Sequence, residues 1–282
     1  PTVLLARIAR EHVTVALSGD AGDELFAGYS RYLAGRALHD RAARLPSGLR
    51  RAVATGLAAV PVAAWDRTAR LLGPAWPRLL RNSPGDKIGR IARLLETRGR
   101  EQFYEEFISH WPDPSVALPG ASGAANGSVA AEAGAAALTD IEFMQAHDTL
   151  AYLPSDILCK VDRAAMAVSL ETRTPFVDRR LVEFAWRVPQ ELKVRDGTGK
   201  WLLRQLLARY VPQRIIDRPK QGFGIPLGEW LRGPLQQWAE ALLSDDALAA
   251  SGLFAPAPIR RLWLEHRSGR AEWHHYLWNV LM

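Results

Sequence analysis

Residues Ser18-Gly19-Asp20-Ala21-Gly22-Asp23-Glu24 place two glycines and two aspartates in one short loop, between an apolar β-branched run and a helical pattern. Glycines at such a turn let the backbone approach a bound group closely, and free N–H groups where a helix begins favour phosphate or carboxylate oxygens. The aspartates Asp20 and Asp23 would repel a phosphate unless a divalent cation lay between, so the loop points to Mg²⁺ bridging a polyphosphate through oxygen ligands. The plainer alternative is that one aspartate merely caps the helix.

Two further patches carry charge in unusual settings. Lys160, Asp162, Arg163, Glu171 and Arg173 stand among apolar residues, where charges are costly unless paired. They are expected to form an ion-pair network or to face a ligand, with Glu171 and Arg173 suited to the network and Asp162 and Arg163 to a substrate. Lys220 lies in the run Arg218-Pro219-Lys220-Gln221-Gly222-Phe223-Gly224-Ile225-Pro226, where glycines suggest a specially shaped backbone. A flexible ammonium there could reach charge developing on a phosphoryl group, against the bland alternative of a surface lysine.

Other chemistries find no support. The sequence contains no G-x-S-x-G, H-E-x-x-H or G-x-x-x-x-G-K-[ST] motif. One cysteine, Cys159, permits neither an internal disulfide nor a cysteine metal cluster, and with no evident histidine base it reads as a buried structural thiol in a reducing compartment. The seven histidines show no metal-ligand spacing, and His274-His275 reads as a helix-surface or interface pair. The net charge of +6 comes from scattered arginines without aromatic interleaving, so no nucleic-acid partner is expected. The apolar stretch Ala52 to Ala64 is broken by Gly56 and Pro61 and is too short to span a bilayer. The Pro1-Thr2-Val3-Leu4-Leu5 opening has no secretory character and reads as a cut inside a longer chain.

The elements that must position these groups follow from apolar periodicity. A helix is expected from Thr2 to Arg10, then a strand at Val13 to Leu17 buried on both faces of a parallel sheet. After the loop a helix starts near Asp23, and ligands of such sheets bind at this strand end. Arg36 to Arg100, broken by prolines and glycines, reads as several short helices packed around Trp65 and Trp76. Pro112 to Ala137, rich in Gly, Ala and Ser, reads as a mobile surface loop. Helices are expected over Asp140 to Leu153, Val161 to Ser169, Asp178 to Trp186 and Lys200 to Tyr210, with no internal repeat.

Taken together and in this order, the patches resemble the synthetase domain of glutamine-dependent asparagine synthetases over residues 1–282. The segment Ser18 to Tyr29 matches that family's S-G-[DE]-x-[GS]-D-E-[LV]-F-x-G-Y pattern. The resemblance implies an α/β fold, a parallel nucleotide-binding sheet of the adenine nucleotide alpha hydrolase-like type, mostly helical in this stretch. It implies adenylate contacts at Ser18 and Gly19, a role for Asp20 in forming the acyl-adenylate, Asp23 as ligand to magnesium pyrophosphate, and Lys220 stabilising charge during adenylation. The cofactors implied are ATP and Mg²⁺, and the reaction is conversion of aspartate to asparagine through a β-aspartyl-adenylate attacked by glutamine-derived ammonia. A cytoplasmic enzyme, homodimeric at full length, with a glutaminase domain in the same parent chain, is implied as well. The sequence departs from the family at Ala21, where glycine is usual, and lacks both the S-G-G-x-D-S pyrophosphate loop and the glutaminase domain with its leading cysteine. The stretch also ends early at Met282. By itself it is therefore expected to bind ATP weakly or not at all and to be inactive. Relatives that act on other carboxylates, and a scaffold without a nucleotide site, are the competing readings.

Overall fold

The computed structural model describes residues 1–73, 76–77, 84–109, 111, 113–121, 137–217 and 224–282. These form a mostly helical α/β structure with a small parallel sheet, in two compact units: Pro1–Asp40 with Asn126–Gly224, and Arg41–Ala125 with Ile225–Met282. Among the described residues, no helix is long and apolar enough to cross a membrane.

In the first unit, helix Thr2–Arg10 leads into strand β1 (Val15–Leu17), which pairs in parallel with β2 (Glu171–Arg173) in the register Val15–Glu171, Ala16–Thr172 and Leu17–Arg173. The helix, Ala16 and helix Cys159–Met166 meet in a small core of Ala6, Ala165 and Leu170. The strand is correctly placed, but the expected burial on both faces does not hold: Val15 is 41% and Leu17 76% exposed. Val15 and Leu17 share one exposed face of the strand, while Ala16 turns to the core.

A second core in this unit supports the loop that follows β1. Ala21, Leu25 and Phe26 pack with Leu153, Ile157 and Ala185, flanked by Phe176, Leu202 and Leu203. Leu153 and Ile157 come from a helical run that continues where two helices were expected. Helix Asp140–His147, started by a Thr139–Glu142 capping box, passes into a π-helix over Asp148–Leu158 and then into Cys159–Met166. Pro154 removes one N–H donor inside this run, and the backbone widens to the π register instead of stopping. Helix Arg179–Arg187, capped by the Asp178 side chain, and helix Trp201–Leu207 lie close to their expected spans.

Among the described residues, the second unit shows two cores. One joins Ala42 and Ala54 to Leu95; the other gathers Leu231, Ala239, Leu243, Ile259, Trp263 and Leu277 from the C-terminal helices. Trp76 is buried and Trp65 half-buried. Of the segment read as a mobile loop, residues 113–121 include a 3₁₀ turn at Pro114–Val116 and the buried Ala117, while residues 112 and 122–136 lie outside the described residues.

Candidate functional site

The loop begins as an extension of the sheet: the Ser18 N–H donates to the Arg173 carbonyl at 2.8 Å. Ser18 then turns back on the loop, its hydroxyl donating to the Asp20 carboxylate and accepting from the Asp20 N–H at 3.3 Å. Ser18 and Asp20 are thus brought together. Gly19 lies exposed between them, and a Cβ placed there would meet nothing within 4 Å. The backbone reverses at Ala21, which adopts a left-handed conformation (φ 70°) and buries its methyl in the core below. A Cβ in this region costs roughly 1–2 kcal/mol, which is the physical consequence of alanine at a position where glycine is free to turn.

The helix after the loop is shorter than expected, a single turn at Gly22–Leu25, and the Gly22 N–H already bonds the Gly19 carbonyl at 3.3 Å. A single turn has little dipole to offer an anion, so in this loop fixed side-chain charges matter more. The positive charge beside Asp23 is the ammonium of Lys200, 3.0 Å from Oδ1, with both side chains partly exposed.

Sequence reasoning placed Lys200 only at the head of a helix, and its contact with Asp23 has a backbone cause. The Lys200 N–H donates to the Phe26 carbonyl at 2.9 Å, and Lys200 itself is left-handed (φ 55°) at the start of helix Trp201–Leu207. Gly199 passes so near Ala27 that a Cβ there would overlap the Ala27 carbonyl. Gly28, whose N–H bonds the Asp23 carbonyl at 2.8 Å, leaves the space that the ion pair fills; a Cβ there would overlap both the Asp23 carboxylate and the Lys200 side chain.

Behind the loop stands a buried polar layer that sequence reasoning missed. Glu24 is 1% exposed and accepts a hydrogen bond from the Tyr29 hydroxyl at 2.8 Å, while Gln145 donates to its backbone carbonyl at 2.6 Å. Burial raises the Glu24 pKa despite the Tyr29 bond, and burial together with Glu24 raises that of Tyr29. Arg31 lies over the rings of Tyr29 and Tyr152, 4.1 and 4.7 Å from their centroids, and pairs with the buried Asp148 at 2.7 Å, which also accepts from Tyr32. Burial opposes the charge on Asp148, but His147, Arg31 and Tyr32 outweigh it and lower the pKa.

The second charged patch is not pressed against a core. Glu171 and Arg173 pair with each other at 2.7 Å on the exposed sheet rim, in line with the structural role expected for them. Asp162 and Arg163 are exposed on helix Cys159–Met166, whose buried face is Ala164 and Ala165; among the described residues no hydrogen bond or ion pair joins either of them to the loop. Cys159 is half-buried. Lys220 lies outside the described residues.

The residues present fit a magnesium nucleotide on two observations. Gly19 leaves open space where a side chain would block an approaching phosphate, and Asp20 and Asp23 are partly exposed carboxylates of the oxygen type Mg²⁺ takes. Lys200 shows that a cation is already accommodated against Asp23.

Comparison with known proteins finds relatives along the whole chain. A family model described as asparagine synthase matches residues 1–282. "Asparagine synthetase [glutamine-hydrolyzing] 1" of Bacillus subtilis (strain 168) is 29% identical over 284 residues, covering 100% of this chain and 41% of that protein. "Putative asparagine synthetase [glutamine-hydrolyzing]" of Mycobacterium tuberculosis (strain ATCC 25618 / H37Rv) is 34% identical over 283 residues, covering 100% of this chain and 40% of its own length. "Asparagine synthetase [glutamine-hydrolyzing]" of Homo sapiens is 28% identical over 139 residues, 44% of this chain and 24% of the human protein. The chain thus spans about two fifths of the length of the first two relatives. No solved structure matches it.

Proposed function

Since the chain belongs to the asparagine synthase family, we propose that it supplies the amide-forming half of an ATP-dependent asparagine synthetase. In this reading ATP activates the aspartate β-carboxylate as an adenylate, pyrophosphate leaves, and ammonia released from glutamine attacks the acyl carbon and displaces AMP to give asparagine. The glutaminase that provides the ammonia and the pyrophosphate loop S-G-G-x-D-S belong, in this proposal, to the remainder of a cytoplasmic parent protein that pairs as a homodimer.

The observation that carries the proposal is the Asp23–Lys200 ion pair at the rim of a glycine loop open at Gly19. Ser18 and Gly19 contact the adenylate, and Asp20, held by Ser18, keeps its carboxylate directed along the loop for acyl-adenylate formation. Asp23 would hold Mg²⁺, which supplies charge neutralisation on the pyrophosphate leaving group. Lys220 stabilises charge on the α-phosphoryl group, a contribution whose loss typically costs on the order of 10²–10³ in rate. Asp162 and Arg163 are assigned to the aspartate substrate. A different acceptor carboxylate and a scaffold role gain no support from the relatives, whose names are all those of asparagine synthetases.

Lys220→Ala in the full-length protein tests the assignment. Aspartate-dependent ATP–pyrophosphate exchange should disappear while glutaminase activity persists. Exchange retained at the wild-type rate would remove Lys220 from the reaction.

A further inference from the structure

We propose that the second unit carries a binding cavity for a free aromatic amino acid, whose ring would rest against Gly89 and the rings of Trp111, Trp273 and Tyr276. The cavity measures about 240 Å³. Four segments of that unit build it: helix Pro84–Glu96, the stretch from Trp111 through the turn Pro114–Val116, helix Pro256–Arg267, and Trp273 with helix His274–Leu281. Pockets for drug-sized ligands run to roughly 300–1,000 Å³, so this one suits a single ring system.

The walls are shaped for a flat group. Gly85 and Gly89 stand one turn apart on helix Pro84–Glu96 and both line the cavity, so the helix offers backbone there in place of side chains. Among the described residues only Arg93 Nη1, at 3.7 Å, lies within 4 Å of a Cβ built on Gly89, which leaves room for a ring edge. Trp111 and Trp273 each meet Tyr276 edge to face, with centroids 5.0 and 5.3 Å apart. A further ring can join such a cluster in the same way. These walls are ordered before a ligand arrives. Trp273 Nε1 donates to Glu265 Oε2 at 2.7 Å and the Trp273 N–H to His266 Nδ1 at 3.3 Å, while the Trp111 carbonyl accepts from the Ser109 hydroxyl at 2.7 Å. Binding therefore has little ordering cost to meet on the protein side.

Three charged groups line the same cavity and set the polarity of the ligand. Arg93 is neutralised by Glu106 at 2.6 Å. Arg261 is exposed, and among the described residues no hydrogen bond or ion pair engages it, so its guanidinium can take a carboxylate. Asp113 accepts the Ser115 N–H at 3.0 Å on Oδ1, and among the described residues nothing donates to Oδ2, so this carboxylate can take an ammonium. A bare cation would be opposed by Arg261, and a bare anion by Asp113. A zwitterion with an aromatic side chain satisfies both charges and the rings together, which favours a free amino acid over an amine, an acid or a lipid tail.

Ligand-observed NMR titration of the full-length protein with L-phenylalanine tests the proposal. Saturable binding of about millimolar affinity or tighter is expected from the size of the ligand, undisturbed by saturating aspartate and glutamine. Phenethylamine and 3-phenylpropionate, each lacking one of the two charges, should bind about tenfold more weakly or worse. Gly89→Leu, which fills the cavity, should abolish binding. Arg261→Gln, at an exposed position that leaves folding unchanged, should weaken it about tenfold. Absence of binding to the folded protein would overturn the proposal. So would displacement by aspartate or glutamine, binding indifferent to both variants, or 3-phenylpropionate binding as tightly as L-phenylalanine.

Discussion

The Lys200 ammonium reaches the Asp23 carboxylate at 3.0 Å through a gap that exists because residue 28 is glycine. The pair joins two segments far apart in sequence, and the joint is made by backbone: Gly199 lies against Ala27, and the Lys200 N–H holds the Phe26 carbonyl. This places a fixed positive charge beside the carboxylate proposed to hold magnesium.

Gly199→Ala is expected to disrupt this joint by overlap with the Ala27 backbone, and Gly28→Ala to push the Asp23 and Lys200 side chains apart at a smaller cost in stability. Overpacking of this kind costs roughly 1–3 kcal/mol, measurable as a lower urea midpoint with an unchanged slope. In the full-length enzyme both variants should also lose aspartate-dependent exchange. An unchanged midpoint for Gly199→Ala would mean that the Ala27 carbonyl gives way freely.

Gly19→Ala should behave in the opposite manner. No atom stands within 4 Å of the added methyl, so stability should stay within about 0.5 kcal/mol of the parent. If the open space admits a phosphate, KM for ATP should rise and exchange should fall. Normal ATP kinetics in this variant would show that the loop is not approached from that side.

Lys193 gives a pH prediction with an unusual sign. The side chain is 1% exposed, with its ammonium 5.1 Å from the centre of the Trp186 ring, and burial lowers its pKa to about 8, only partly offset by Glu142. The unfolded lysine titrates near about 10.4, so between these values the unfolded state binds more protons and stability rises with pH. Below about 8 both states are protonated and the burial penalty is fully present. Lys193→Met should therefore stabilise the fold at pH 7 by about 1–3 kcal/mol, and the difference between the two proteins should shrink toward pH 10 in denaturant titrations. A difference independent of pH would assign the effect to packing alone.

Lys200→Met retains the stem and removes the charge. The pair is partly exposed, so the expected stability change is small, about 0–1 kcal/mol. The functional effect should be larger: weaker magnesium nucleotide binding with glutaminase activity unaffected. Equal losses in both activities would indicate a general folding defect.

The Ser18–Asp23 loop was legible because its chemistry is local: a strand ending, glycines, and carboxylates a few residues apart. Lys200 was not, because its relation to Asp23 depends on Gly28 and Gly199 sharing one place in space, and each glycine alone is an ordinary turn signal. The buried layer of Glu24, Tyr29, Arg31 and Asp148 was hidden for a similar reason, since Asp148 meets Arg31 only through tertiary packing. Strand β1 was read correctly as a parallel strand, but periodicity reports apolarity and not what covers it, and Leu17 is largely exposed. Pro154 misled in the other direction, because a proline that ends an α-helix can be absorbed by a π register.

The most direct measurement is aspartate-dependent ATP–pyrophosphate exchange by the full-length protein carrying Asp23→Asn, an isosteric change that removes the charge proposed to hold magnesium. Normal folding, normal glutamine hydrolysis and exchange reduced by about 10²-fold or more are expected. Exchange at the wild-type rate, with the same magnesium dependence, would contradict that role for Asp23.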